Sequence, residues 1–332
     1  MTQWSADHEF AVQSVRLAGQ LCASLQPKIA GEAAAKQDKS PVTVADFASQ
    51  ALIGDALRRE FPNDPVVGEE DSTLLRAAEN EALLQRVCAA LAGQLPRNEQ
   101  LRSQGQVLSA IDWGSARVAH GRRWTLDPID GTKGFLRGGQ YAVALALLQD
   151  GEVNVAALAC PNLSAAWGLG VVFSAARGTG AFAQPLHTVG EPQLIAVSAR
   201  GEPEVEGGAE SVRICESVES GHSDHQRSRR LFAGLRVGSE VLRVDSQTKY
   251  GMVAQGSAEA YCRLPTSADY HEKIWDHAAG VLIVREAGGT VTDIEGRALD
   301  FTQGHELRNN RGVVVTNGHW HLRLLQAIAH SQ

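Results

Sequence analysis

The feature that most constrains this chain is residues 124–135, where an apolar strand runs directly into two aspartates. Asp127 and Asp130 stand on a turn shaped by proline and glycine, so both carboxylates can point into one small space. Hard oxygen ligands at the end of a strand suit Mg²⁺, and the carbonyl of Ile129 between the aspartates can add a ligand. The stretch therefore predicts a metal site at the end of a strand.

The two residues that follow extend this prediction from a metal to a phosphate. Gly131 and Thr132 offer backbone N–H groups and a hydroxyl, which are the donors that a phosphate needs. The EF-hand pattern fails here because Ile129 and Gly131 occupy its third and fifth positions, and no Gly-Lys-Ser/Thr phosphate loop occurs in the chain. Taken alone, the stretch is also compatible with an ordinary turn.

Net charge decides how such a site could attract a phosphate. The 332 residues include 31 Lys and Arg against 38 Asp and Glu, which gives a net charge of −7. A chain this acidic has no global attraction for nucleic acid or for an anionic membrane, so we expect neither as a partner. The expected partner is a small phosphate compound, held by local donors or metal ions.

Cysteine usage and the start of the chain indicate the compartment. The five cysteines are scattered without a close pair, which fits neither a disulfide framework nor a zinc site. The first residues carry acids and no basic region ahead of an apolar stretch, and apolar runs such as residues 141–148 are too short to span a bilayer. We therefore expect a cytoplasmic protein with reduced, mostly buried thiols.

The spacing of apolar residues divides the chain into two halves. The first half is predicted to contain a short strand at 65–68 and helices at 8–25, 45–59 and 79–91. Hairpins are predicted at 141–159, around an Asp-Gly turn, and at 167–183. Later strands at 194–198, 212–216 and 241–244 alternate with helices at 224–233, 247–256, 272–287 and 319–329. We expect an α+β half over residues 1–186 and an α/β half over residues 187–332.

Two further acidic positions complete a candidate site. Glu69 and Glu70 follow the short strand at residues 65–68, and Asp276 precedes the apolar run at residues 278–284. Each alone has an ordinary interpretation, since an acidic turn is usually solvated and an aspartate before a helix is usually an N-cap. Their occurrence in one chain with the aspartate pair favours a functional site.

Four motifs together closely resemble the lithium-sensitive, Mg²⁺-dependent phosphatase superfamily, which includes inositol monophosphatase and fructose 1,6-bisphosphatase. They occur at residues 39–46, 67–70, 126–135 and 274–290, and so extend over most of the chain. The likeness is greatest to the 3′(2′),5′-bisphosphate nucleotidase branch. It implies a layered αβαβα sandwich of an α+β half and an α/β half, with the site between them.

The resemblance also implies roles for the residues of the candidate site. The implied ligands of two or more Mg²⁺ ions are the carboxylates of Glu69, Asp127, Asp130 and Asp276 and the carbonyl of Ile129. Asp46 and Thr132 would hold and activate the attacking water, Gly131 and Thr132 would contact the substrate, and Glu70 would stand behind the ligands. These roles make chemical sense, because no covalent nucleophile is evident and a cluster of carboxylates repels a phosphate unless cations are bound.

The implied pocket for the rest of the substrate lies in the second half. Residues 215–222, 245–250 and 261–265 resemble the adenosine-phosphate pocket of the nucleotidase branch. His222 would lie near the adenine, and Ser246, Lys249 and Arg263 would surround the second phosphate. Without the resemblance, surface histidines and surface charges would be the favoured interpretation of these residues.

The sequence therefore predicts a Mg²⁺-dependent phosphatase that converts adenosine 3′,5′-bisphosphate to AMP and phosphate, with 3′-phosphoadenylyl sulfate as a further candidate substrate. The resemblance implies sensitivity to lithium and a place in sulfur metabolism. One alternative is a phosphatase for inositol phosphates or other small phosphomonoesters, with a permissive pocket. An alternative of another class is a non-catalytic sensor that binds the nucleotide and metal.

Overall fold

Two β-sheets alternate with layers of helices in the computed structural model, which describes residues 3–36, 42–94, 101, 103–201, 212–218, 239–265, 267 and 270–330. The helices are α1 (Ser5–Lys36), α2 (Val44–Glu60), α3 (Thr73–Arg76), α4 (Glu81–Gln94), α5 (Gln104–Asp112), α6 (Thr132–Leu136), α7 (Thr248–Ala254), α8 (Ala278–Glu286) and α9 (His321–His330). Single 3₁₀ turns cover Ala78–Asn80 and Ile274–Asp276.

The first sheet has seven strands in sequence order: β1 (Val66–Gly68), β2 (Arg122–Asp130), β3 (Ala142–Gln149), β4 (Glu152–Ala165), β5 (Gly168–Ala176), β6 (Ala181–Pro185) and β7 (Gln193–Ile195). Its strands are antiparallel except for β1 and β2, which are parallel. The second sheet has the order β11 (Thr290–Thr292), β12 (Val313–Thr316), β10 (Ala260–Arg263), β8 (Val212–Glu216) and β9 (Ser239–Arg243). In it, β10, β8 and β9 are parallel to one another.

Both faces of the first sheet are buried, each against its own core. Side chains along a strand alternate between the two faces, so neighbouring residues contribute to different cores. On β3, Val143, Leu145 and Leu147 pack against a core formed by α1, α2, α4 and α5. The intervening residues Ala142, Ala144 and Ala146 face a second core formed with α7 and α8. Large side chains on one face and alanines on the other explain why β3 has an almost uninterrupted apolar sequence.

The second sheet is covered by helices on both faces as well. Its inner face contributes to the core around α7 and α8, through residues such as Val313 and Val315. Its outer face packs Ile214 and Val314 against Leu324 and its neighbours on α9. The layers therefore follow the order αβαβα that the resemblance implied.

Local signals in the sequence predicted most elements of the first half. The hairpin between β3 and β4 turns at Asp150 and Gly151, whose φ angles of 53° and 85° are those of a tight left-handed turn. The hairpin between β5 and β6, the short strand β1 and the helices α2 and α4 are confirmed as well.

Other elements differ from the sequence expectations. α1 continues to Lys36 instead of ending near residue 25, and it does so through Pro27, a residue that usually ends a helix. α5 was not predicted, although Ser103 and Gln106 form a capping box at its start. β11 and β12 were missed because they are short, and the predicted helix at residues 224–233 lies outside the described residues.

The strand predicted at residues 194–198 forms only in part, because β7 ends at Ile195; β7 pairs with β6 and so extends the first sheet beyond residue 186. The division of the chain near that residue stays a prediction. All five cysteines lie in described segments as free thiols, and all but Cys88 are buried. Within the ranges that the structure describes, no helix combines the length and the apolar character needed to cross a bilayer.

Candidate active site

A cavity of about 380 Å³ opens between the two sheets, where the end of β2 meets the loop before α7 and the 3₁₀ turn Ile274–Asp276. Its lining brings together ten residues named from the sequence: Glu69, Asp127, Ile129, Asp130, Gly131, Thr132, Ser246, Lys249, Arg263 and Asp276. Residues from five separate segments, up to about two hundred positions apart, thus share one space. His222 lies outside the described residues.

The pairing of β1 with β2 places Glu69 and Asp127 at this cavity. The two strands run parallel, so both end at the same edge of the sheet, with Glu69 beyond β1 and Asp127 on β2. The N–H of Glu69 donates to the carbonyl of Leu126 at 3.2 Å, which continues the ladder by one residue. The register of β2 against β3 then becomes irregular between Asp127 and Asp130, and the strand turns into the loop that starts α6.

Three carboxylates crowd together at this point. Oxygens of Asp127, Asp130 and Asp276 all lie within 4.8 Å of one another. Asp127 is only 1% exposed, and its Oδ1 is buried without a hydrogen-bond partner. Burial, followed by repulsion from Glu69 and Asp130, raises the pKa of Asp127 well above its ordinary value. Burial and the nearby Asp276 likewise raise the pKa of Asp130 to about 6.

Glu69 adds a fourth carboxylate to this group. Its side chain is exposed to the open cavity, but protein atoms surround its carboxyl group on most sides. This enclosure, with repulsion from Asp276 and Glu70, raises the pKa of Glu69 well above its ordinary value. The group has more negative charge and more unused oxygen lone pairs than its protein neighbours can balance. Its all-oxygen donor set and the unpartnered Oδ1 of Asp127 fit a hard divalent cation.

A second acidic cluster beside the first is already balanced. Ligand atoms of Glu272, Asp276 and His277 also lie within 4.8 Å of one another. However, Nη2 of Arg263 lies 2.9 Å from Oε2 of Glu272, and Nε2 of His277 lies 3.1 Å from the same oxygen. The other ring nitrogen of His277 is 2.7 Å from the hydroxyl of Tyr250. Because Glu272 and His277 have these partners, the first cluster is the better metal site.

Thr132 and Asp46 meet at the edge of the cavity. The hydroxyl of Thr132, at the start of α6, lies 3.3 Å from Oδ1 of Asp46 and 3.2 Å from the carbonyl of Ile129. Asp46 is fully buried, and Oδ2 of its carboxylate accepts hydrogen bonds from both the backbone and the hydroxyl of Thr43, in the capping box of α2. Burial raises the pKa of Asp46 to about 6, although these hydrogen bonds oppose the shift.

Glu70 follows Glu69, which the resemblance implied to be a metal ligand. It is half-buried, and burial together with the charges of Asp46 and Asp71 raises its pKa to about 8. The resemblance implied that Glu70 stands behind Glu69. There its carboxyl group adds a further acid to a region that already has an excess of negative charge.

Two cationic side chains, those of Lys249 and Arg263, line the cavity beside the acids, and Nη2 of Arg263 lies 3.9 Å from Oδ2 of Asp276. Lys249 is 3% exposed and donates to the carbonyl of Val244 at 3.1 Å, with its Nζ 5.0 Å from the ring centre of Tyr261. Burial lowers the pKa of Lys249 to about 8. Arg263 contacts the hydroxyl of Tyr270 at 3.2 Å in addition to Glu272, so its guanidinium is held in place on two sides.

Ser246 approaches the start of α6 from the second half of the chain. It has a left-handed backbone with a φ of 67°, and its hydroxyl lies 2.9 Å from that of Thr248. A Cβ on Gly131 would stand 3.0 Å from the Cβ of Ser246, and Gly131 itself has a φ of 87°. Only glycine satisfies both conditions at this contact between the halves.

Sequence reasoning missed several residues of the cavity. Gln247 joins the two halves, since its backbone N–H donates to Oδ2 of Asp130 and its side chain donates to the carbonyl of Trp275 at 2.8 Å. Asp245 pairs with Arg137 at 2.7 Å. The remaining lining residues that were not named are Lys133, Gly134, Ser217, Tyr250, Tyr261, Tyr270, Lys273 and Trp275. The motif at residues 245–250 contained a signal for Asp245 and Gln247, but isolated aromatic residues such as Tyr270 carried none.

Comparison with known proteins gives relatives over nearly the whole chain. A family model described as the inositol monophosphatase family matches residues 4–332. A 3′(2′),5′-bisphosphate nucleotidase of Emericella nidulans is 44% identical over 90% of this chain and 92% of its own length. One from Oryza sativa is 40% identical over 98% of this chain and 94% of its own.

Solved structures agree at the level of the fold. An IMPase of Thermotoga maritima superposes with a TM-score of 0.65 and 20% identity over 98% of both chains. The extragenic suppressor protein SuhB of Bartonella henselae has a TM-score of 0.65 at 22% identity, again over 98% of both chains. The αβαβα arrangement is thus shared with proteins whose sequences have diverged widely.

Proposed function

The chain belongs to the inositol monophosphatase family, and we propose that it is a phosphatase that removes the 3′-phosphate of adenosine 3′,5′-bisphosphate. The products are AMP and inorganic phosphate, and 3′-phosphoadenylyl sulfate is a second candidate substrate. The observation that carries the proposal is the cavity itself, in which a cluster of carboxylates lies beside a buried lysine and a largely buried arginine. Relatives named 3′(2′),5′-bisphosphate nucleotidase, at 44% and 40% identity, support it.

The proposed cofactor is Mg²⁺, in two or more ions. The residues that would hold it are Glu69, Asp127, Asp130 and Asp276 through their carboxylates and Ile129 through its carbonyl. When bound, such a cation balances charge on the phosphoryl oxygens and increases the acidity of water. Oxygen donors without nitrogen or sulfur are the set that Mg²⁺ prefers.

Thr132 and Asp46 would position the attacking water. The single proton of the Thr132 hydroxyl faces either Asp46 or the carbonyl of Ile129, at 3.3 and 3.2 Å. In both cases lone pairs of the hydroxyl oxygen remain available to accept a hydrogen bond from water in the cavity. With its pKa raised to about 6, Asp46 is ionised at neutral pH and can receive a proton through Thr132.

The cationic side chains would bind the second phosphate of the substrate. Lys249 and Arg263 supply positive charge, and the hydroxyl of Ser246 supplies a neutral donor, while Gly131 would contact the substrate through its backbone N–H. An inositol monophosphate has no second phosphate to contact these side chains, which is why the nucleotide is the favoured substrate. We further propose that His222 contacts the adenine and that the protein works in the cytoplasm, where its free thiols stay reduced.

The test is phosphate release with Mg²⁺ from adenosine 3′,5′-bisphosphate beside inositol 1-phosphate, each with and without lithium. We expect the nucleotide to be preferred by a kcat/KM ratio of about a hundredfold, because a charge-assisted contact contributes about 1.5–3 kcal/mol. We also expect lithium to inhibit the release. Preference for inositol phosphate would overturn the substrate assignment, and tight nucleotide binding without release would favour a sensor.

A further inference from the structure

Gln50 lies outside the cavity but beneath its acidic edge. It is on α2, one helical turn after Asp46, and is fully buried. Residues three and four positions apart lie on the same face of a helix, so Asp46, Ser49 and Gln50 point in one direction. Each reaches a different part of the site, which makes this face of α2 a shared support for it.

The contacts of Gln50 tie two segments together. Its side-chain Nε2 donates to the carbonyl of Glu70 at 2.8 Å and lies 3.4 Å from the carbonyl of Ile111. The two amide hydrogens thus connect the acidic end of β1 to the end of α5. Ser49 makes a parallel contact, because its hydroxyl donates to the carbonyl of Pro128 at 2.9 Å, between Asp127 and Ile129.

Two glycines leave room for this amide. A Cβ on Gly68 would stand 2.5 Å from Nε2 of Gln50, and a Cβ on Gly114 would stand 2.2 Å from the same atom. The N–H of Gly68 donates to the carbonyl of Gly114 at 2.7 Å, which closes the two segments around the side chain. The chain therefore holds the amide of Gln50 directly behind the strand end that carries Glu69 and Glu70.

We propose that Gln50 is a positioning residue for the metal site, acting through the backbone of Glu70 to hold the carboxylate of Glu69 beside Asp127. The inference rests on the proposed metal site. Glu69 bears a carboxylate that is repelled by Asp276 and Glu70. An acid under such repulsion moves away from its neighbours unless its backbone is fixed, and the hydrogen bond from Gln50 fixes the next residue. Partners behind metal ligands typically affect metal affinity by about 10–100-fold.

The test compares Gln50→Met with the wild type and with a control. Methionine has a similar length and volume but cannot donate a hydrogen bond, and a second variant, Gln50→Leu, guards against an effect peculiar to methionine. The matched control is Gln20→Met, since Gln20 is also a helical glutamine that donates to a backbone carbonyl, that of Leu186 at 2.8 Å, away from the cavity.

Mg²⁺ affinity of the free protein is measured by calorimetry, without substrate. We expect Gln50→Met to bind Mg²⁺ about 10-fold more weakly, and Gln20→Met to bind as the wild type does. Phosphate release by Gln50→Met should recover when Mg²⁺ is raised, with the KM for the nucleotide within twofold of the wild type at saturating Mg²⁺. If Gln50 had a merely structural role, Gln50→Met and Gln50→Leu would have a lower melting temperature than the wild type, but their Mg²⁺ affinity would be unchanged.

Unchanged Mg²⁺ affinity in a folded Gln50→Met and a folded Gln50→Leu would overturn the proposal, as would an equal loss of affinity in the control. Failure of the proposed function is distinguishable from this result. A wild type that binds Mg²⁺ but releases no phosphate would refute the activity and still allow the affinity comparison. A wild type that hydrolyses the nucleotide, beside variants with normal affinity, would refute only the role of Gln50.

Discussion

The acidic side of the cavity (Glu69, Asp127, Asp130 and Asp276) and its cationic side (Lys249 and Arg263) differ in how well the protein balances their charge. On the cationic side, Arg263 is paired with Glu272 and contacts Tyr270. On the acidic side, Oδ1 of Asp127 has no hydrogen-bond partner, and the pKa of each acid is raised. The cationic side thus holds its own geometry, whereas the acidic side has a repulsion that the proposed Mg²⁺ would relieve.

The largest effect is expected from Asp127→Asn, which removes a charge from the acidic side but keeps its shape. We expect phosphate release to fall by about 10³-fold or more, since electrostatic stabilisation of the reacting phosphate depends on this charge and its cation. At the same time the metal-free protein should melt at a higher temperature. A carboxyl whose folded pKa exceeds its unfolded pKa costs stability at every pH where the unfolded group is ionised, and asparagine removes that cost.

Activity assays and thermal unfolding in a chelator at pH 7.5 measure the two effects. Asp64→Asn is a suitable control, because Asp64 is an acid outside the cavity that pairs with Arg122 at 2.6 Å. That variant should lose stability and keep its activity. If Asp127→Asn were less stable than the wild type in chelator, the acidic side would be balanced after all.

The second-largest effect is expected from Arg263→Met on the cationic side. Arg263 and Glu272 are 12% and 5% exposed, so breaking their pair leaves a buried charge and should lower the free energy of unfolding by about 3 kcal/mol. The KM for the nucleotide should rise as well, because a charged contact to the phosphate is lost. Denaturant unfolding and steady-state kinetics measure both quantities.

Adding Glu272→Gln separates the two consequences of Arg263→Met. The double variant should recover part of the stability, because Glu272 is then neutral and only Asp276, whose Oδ2 lies 3.9 Å from Nη2 of Arg263, has lost a cation, but it should keep the raised KM. Recovery of KM together with stability would mean that Arg263 acts only as a structural partner of Glu272.

A smaller effect is expected from pH through Lys249, whose pKa is lowered to about 8 by burial. Below that pH the amine is protonated and attracts the nucleotide, and above it the charge is lost. Affinity should therefore fall by about tenfold between pH 7 and pH 9, as the protonated fraction does. Calorimetric titration of the metal-free protein with the nucleotide, at pH 7 and at pH 9, measures this affinity. Lys249→Arg, which stays charged, should show a flatter profile.

Glu70 titrates in the same range, since its pKa is also raised to about 8, and its ionisation adds repulsion. The difference between the wild type and Lys249→Arg isolates the lysine from this background. Identical slopes in the two proteins would assign the whole pH dependence to the acidic side.

The smallest effect is expected from Arg137→Ala, which removes the 2.7 Å pair with Asp245 that links α6 to the cationic side. Arg137 is 44% exposed, so the free energy of unfolding should change by less than about 1 kcal/mol. The KM should rise two- to threefold as the two sides become less well aligned, with kcat unchanged. A tenfold loss of kcat would show that this pair does more than align the two sides.

Sequence reasoning named the residues of both sides, but it accounted for the contacts among them better on the acidic side, and the physical reason is distance along the chain. Asp127 and Asp130 lie on one strand and turn, so their proximity is local. The approach of Asp276 and of Asp46 to that turn depends on packing between layers. The co-occurrence of acidic positions suggested it for Asp276, and only the resemblance to a family suggested it for Asp46. Nothing in the sequence indicated that Glu272 would neutralise Arg263, or that Lys249 would be buried against Tyr261.

The same distinction holds for the fold. The Asp150-Gly151 turn and the capping box of α2 act over a few residues, and their elements were predicted. The course of α1 through Pro27 depends on its packing against the first sheet, which stabilises a helix that the local sequence would end. Tertiary contacts, which the sequence shows only indirectly, therefore determine where α1 ends.

Asp46 has two tasks in one carboxylate: Oδ2 completes the capping box that begins α2, and Oδ1 contacts Thr132. A group that starts a helix and, in the proposed function, also positions the attacking water is hard to lose by neutral drift. A substitution there weakens the start of α2 as it weakens the chemistry, so selection for folding alone would retain the residue. An inactive descendant of this protein would therefore be expected to keep Asp46 long after residues such as Glu69, which serve only the site, had changed.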